Sequence, residues 1–129
     1  MANQLAAVIG DAISEPDQVV AVRLPQDSAT VVALHLAILK AGATQCFIDP
    51  DAPDELFSRV LSDARPALLI SDKLPPGYTD ALLPPEVLLR QAEARSARAP
   101  SVPWLDDPQT RLASLFYTSG TTGLSLIHI

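Results

Sequence analysis

Residues 118 to 123 read Thr-Ser-Gly-Thr-Thr-Gly, six small residues placed directly after the apolar stretch Leu115, Phe116 and Tyr117. Gly120 and Gly123 permit positive φ and close approach of a partner, while each residue of the run offers a backbone N–H. The hydroxyls of Thr118, Ser119, Thr121 and Thr122 add donors that rotate to suit an oxygen-rich group. That donor set suits a polyphosphate, because it gives many hydrogen bonds without bulk. The same residues also build ordinary turns, and that reading stands beside the first. The phosphate loop G-x-x-x-x-G-K-[ST] would need a glycine where Thr118 stands and a lysine where Leu124 stands, and G-x-G-x-x-G is absent as well.

The other residues with chemical potential have simpler uses. Cys46 is the only cysteine and lies in an apolar run, so no disulfide forms within the chain and a buried thiol in a reducing compartment is expected. His35 has no Cys, His or carboxylate at ligand spacing and reads as a packing residue. Lys40 falls where a helix ends and a cation opposes the helix dipole. Asp49 precedes Pro50 at the end of a strand and reads as structural. No Ser/His/Asp arrangement marks a protein nucleophile.

The elements that must position the 118–123 run alternate in type. Residues 3–13, "NQLAAVIGDAI", place Leu5, Val8, Ile9 and Ile13 near helical spacing. "QVVAVRL" (18–24) is a β-branched run bounded by Pro16 and Pro25, a short buried strand. "SATVVALHLAILKAG" opens on Ser28 as N-cap and closes on Gly42 as C′ residue, with little polar face between them; such a helix should be covered on more than one side. "TQCFID" (44–49) reads as the second strand. "PDELFSRVLSDA" (53–64) follows as a helix with Pro53 at N1 and Leu56, Val60 and Leu61 on one face, and "ALLIS" (67–71) as the third strand. Strands alternating with helices of about a dozen residues imply an α/β fold: a mainly parallel sheet built from βαβ units with right-handed crossovers.

From Lys73 to Pro108 the texture changes. Seven of the twelve prolines fall here, around one helix, "PPEVLLRQAEARSA", and Trp104 reads as a packing anchor. The segment is expected to cross the sheet surface irregularly before "RLASLFYTS" returns the chain to the sheet.

Composition narrows the function classes. With 48% hydrophobic and 19% charged residues the 129-residue chain is not a disordered one. A formal net charge of −6 argues against a nucleic-acid or anionic-membrane partner, although backbone N–H groups can still hold a small anion locally. The N-terminus lacks a basic n-region, and "ATVVALHLAILKAGA" is too short and interrupted to span a bilayer, so a cytoplasmic chain is expected.

Order then adds what the single motif lacks. "YTSGTTG" resembles the phosphate-loop motif of the adenylate-forming (AMP-forming) synthetases, which include nonribosomal peptide synthetase adenylation domains, acyl-CoA synthetases and luciferases. Upstream, "LKAGATQCFIDPDAPDELFSRVLSDARPALLISD" is similar to the stretch of that superfamily reading roughly L-K-A-G-A-x-x-x-P-x-D-P-x-x-P, then R-L, D-A and P-x-x-L-L. Leu39, Lys40, Ala41, Gly42, Ala43, Asp49, Pro50, Pro53, Asp63, Ala64, Pro66, Leu68 and Leu69 carry the match. The resemblance covers residues 3 to 123 and implies a partial N-terminal subdomain of an AMP-forming ligase. It implies that Thr118, Ser119, Gly120, Thr121, Thr122 and Gly123 hold the β- and γ-phosphates of ATP, with Mg²⁺, while a small carboxylic or amino acid attacks the α-phosphate. Coenzyme A or the phosphopantetheine arm of a carrier protein then accepts the acyl group. No catalytic residue of the family falls on a matching position.

The pattern departs from the family after Gly123 and again within the second strand. The family's glycine matching Gly123 is followed by Lys-Pro-Lys-Gly, whereas this chain reads Leu-Ser-Leu-Ile-His-Ile through residue 129. Residues 124–129 are therefore expected to be a non-family tail, a translated sequencing-adapter segment joined to an interrupted frame; a natural apolar tail that packs somewhere is the other reading. Gln45 and Phe47 stand where the family commonly has Tyr and Pro. As it stands, the chain is expected to be inactive alone. The competing reading is a small non-enzymatic α/β module that binds a nucleotide or a protein partner.

Overall fold

The computed structural model describes residues 2–15, 17–25, 29–72, 82–95, 115–120 and 123–128. Helix α1 (Ala2–Gly10) leads into strand β1 (Val19–Arg23), followed by α2 (Ala29–Lys40), β2 (Thr44–Phe47), α3 (Asp54–Ala64) and β3 (Leu68–Ser71). A two-residue strand β4 (Leu82–Leu83), helix α4 (Pro85–Glu93) and the strands β5 (Leu115–Gly120) and β6 (Gly123–His128) complete the order.

The alternation predicted from sequence is present. Strands β1 to β4 form one parallel sheet in the order β2-β1-β3-β4. The chain steps outward from β1 to β2, then back across β1 to β3. If both crossovers keep the same hand, that reversal requires α2 and α3 to lie on opposite faces. They do. Val20 and Val22 of β1 with Leu68 and Ile70 of β3 pack with α1, α2 and α4, while Val19, Ala21 and Leu69 pack with α3. A strand buried on both faces has no polar side to show, which is why "VVAVR" lacks alternation.

Local chemistry ends the helices where the sequence signals. Gly42 has φ 77°, its N–H donates to Leu39 O at 3.1 Å, and the Ala43 N–H donates to Ile38 O at 3.1 Å. That reciprocal pair closes the last carbonyls of α2 and needs a residue tolerant of the left-handed region. Pro53, expected at N1 of α3, is instead its N-cap, with Asp54 the first helical residue, and Arg65 caps the other end in a left-handed conformation at φ 47°. Ser28 and Trp104 lie outside the described residues.

Three expectations need correction. Helix α2, expected to be covered on more than one side, buries the single stripe Val31, Leu34, Ala37 and Ile38 and leaves Val32, Leu36 and Leu39 62, 52 and 40% exposed. The connection after β3 is not wholly irregular, since Leu82 and Leu83 extend the sheet beside Leu69 and Ile70. The strand ending in the Thr/Ser/Gly run does not join the parallel ladders. It pairs antiparallel with β6 in a separate two-stranded sheet, and lies near β2 at the edge of the main one.

Candidate functional site

The hairpin brings four of the six predicted site residues to one end. Thr118, Ser119 and Gly120 close β5 and Gly123 opens β6, with Thr118 opposite Ser125, Ser119 opposite Leu124, and Gly120 opposite Gly123. Thr121 and Thr122 lie outside the described residues. The pairing changes the expected donor count. In an antiparallel ladder, residues along a strand alternate between exchanging hydrogen bonds with the partner and directing their N–H outward. The amides of Thr118 to Gly120 therefore cannot all serve one ligand. Glycine on both sides of the last pair leaves that end of the ladder without a Cβ on either strand, which favours close approach by a bulky anion.

At the C-terminal edge of the parallel sheet the structure shows a residue that sequence reasoning missed. Arg23 ends β1 and is only 5% exposed. Its Nη2 donates to Pro50 O at 2.9 Å and to Ala52 O at 3.0 Å, and its guanidinium carbon lies 4.4 Å from the centroid of the Phe57 ring. Two carbonyls and an aromatic face thus receive a buried cation that has no carboxylate within ion-pair distance among the described residues. Its Nε is buried with no hydrogen-bond partner among the described residues. The arrangement ties the turn after β2 to the end of β1 and to the first turns of α3. The available signal was a lone arginine closing a run of otherwise apolar strand residues.

Near the other end of the same turn, Asp49 acts as its position suggests. Its Oδ1 accepts the Asp51 N–H at 2.9 Å, and its backbone oxygen accepts the Ala52 N–H at 3.1 Å. That is a side-chain-mimicked turn, the use to which aspartate before proline is well suited. The two departures from the family pattern, Gln45 and Phe47, are joined by His35. The imidazole stacks on Phe47 with ring centroids 3.9 Å apart and 16° between planes, and His35 Nδ1 lies 2.7 Å from Gln45 Oε1. His35 is therefore an exposed packing residue that links α2 to β2. Lys40 lies exposed in the last turn of α2.

Cys46 is 1% exposed within the α3-side core, and burial pushes its thiol up to about 11. A protonated, enclosed thiol is a poor nucleophile at neutral pH. The described residues hold no group of three or more His, Cys, Asp or Glu placed to bind a metal ion, and none of their helices is long and apolar enough to cross a membrane.

The model of the AMP-binding enzyme family matches residues 1–125. The chain belongs to that family. A dimodular nonribosomal peptide synthase of Bacillus subtilis is 35% identical over 126 residues, which is 95% of this chain and 5% of that protein. The N-terminal subdomain of Klebsiella oxytoca NpsA, solved in complex with 3-hydroxybenzoyl-AMSN, superposes with a TM-score of 0.78 at 25% identity over 99% of this chain and 32% of that one. A fatty acyl CoA synthetase of Mycobacterium tuberculosis shares the fold, with a TM-score of 0.81 at 20% identity over 99% of this chain and 27% of that one. The chain thus spans a small part of the curated relative and about a third of the solved subdomain.

Proposed function

We propose that this chain is a partial N-terminal subdomain of an ATP-dependent carboxylate-activating ligase, with the T-S-G-T-T-G run as its phosphate-binding segment. The observation that carries the reading is the Gly120–Gly123 pair at the hairpin end, inside a match to the AMP-binding enzyme family that spans nearly the whole chain. In this reading Thr118, Ser119, Gly120, Thr121, Thr122 and Gly123 grip the β- and γ-phosphates through outward amides and hydroxyls. Charge gathers on pyrophosphate as it leaves, so fixed donors stabilise the transition state more than the bound nucleotide. The donor set is made of neutral hydroxyls and amides, which fit phosphate oxygens. The described residues offer no ligand set for Mg²⁺, which would arrive on the phosphates of ATP.

The 35% identity to a nonribosomal peptide synthase supports an amino acid as the activated carboxylate and a carrier-protein phosphopantetheine as the thiol acceptor, in preference to coenzyme A. Residues 1–123 form the family portion in this reading, and 124–129 a segment outside it. In this reading the 129-residue chain binds phosphate through residues 118–123 and is inactive alone. Equilibrium dialysis with radiolabelled pyrophosphate tests the first half, with binding by the wild-type chain and its loss in Gly123→Val expected. An ATP–pyrophosphate exchange assay tests the second, and carboxylate-dependent exchange by the isolated chain would overturn it.

A further inference from the structure

We draw no further inference here: the strongest candidate, the exposed Val32, Leu36 and Leu39 stripe on the outer face of α2, carries nothing because nothing in the structure shows what covers it.

Discussion

The parallel sheet and the β5–β6 hairpin solve the same problem, holding strands in register, by different means. In the sheet, burial does it. Val20 and Val22 face α1, α2 and α4 while Val19 and Ala21 face α3, so a one-residue slip of β1 would exchange the two sets of contacts. In the hairpin, chain connectivity does it: only two residues separate Gly120 from its partner Gly123. A register set by connectivity needs no alternation of buried side chains to specify it. A register set by burial spends every side chain on packing, and Arg23, the one charged residue of β1, is enclosed there as a tie between turns.

The largest effect should come from breaking the buried half. Phe57 is fully buried and supports the Arg23 guanidinium, so Phe57→Ala removes core volume and the ring beneath a buried cation. A loss of about 3–5 kcal/mol is expected in urea unfolding followed by circular dichroism. Pyrophosphate binding should vanish with it, because an isolated two-stranded hairpin is marginal in water. Retained binding by an unfolded Phe57→Ala chain would show that the hairpin stands alone.

Alkaline pH should strain the same half more gradually. The Cys46 thiol moves from its ordinary 9.0 to about 11 on burial, so the folded chain keeps its proton where the unfolded chain has lost it. The unfolded state then binds fewer protons, and stability falls with rising pH. The contribution is whole below pH 9 and is lost progressively toward pH 11. Denaturation midpoints measured across that window should decline in the wild type, and Cys46→Ala should flatten the decline.

Gly42→Ala forces a Cβ into the left-handed position that ends α2, at φ 77°. A destabilisation of about 1–2 kcal/mol is expected, with pyrophosphate affinity unchanged once the chain is folded. The smallest effect belongs to the surface of α2. His35→Ala should cost about 0.5 kcal/mol, and a cycle with Phe47→Leu should reveal coupling of the same order from the stacked rings. Additivity would mean the stack contributes nothing.

Most of the parallel sheet was legible because its signals are local and repeated. β-branched runs, proline boundaries and helix-length spacers specify βαβ units, and Gly42 announces the end of α2 before any coordinate is known. What escaped depends on partners far along the chain. The apolar excess of α2 does not say that Val32, Leu36 and Leu39 stay exposed, since that is decided by which layers are present. Arg23 was not singled out in the sequence because its carbonyl partners lie 27 and 29 residues away. The 118–123 run was recognisable as a donor-rich segment, but the pairing of residues 115–120 with 123–128 was not, because Leu124, Leu126 and Ile127 read as part of a non-family tail. Leu82 and Leu83 were hidden by the prolines around them.

The most direct test of the account is a titration of the ¹⁵N-labelled chain with pyrophosphate, and separately with MgATP, followed amide by amide. Saturable shifts are expected that centre on residues 118–123, are largest at Gly120 and Gly123, and disappear in Gly123→Val while the resonances of β1 to β3 stay in place. Shifts that centre elsewhere, or none at millimolar ligand on a folded chain, would contradict it.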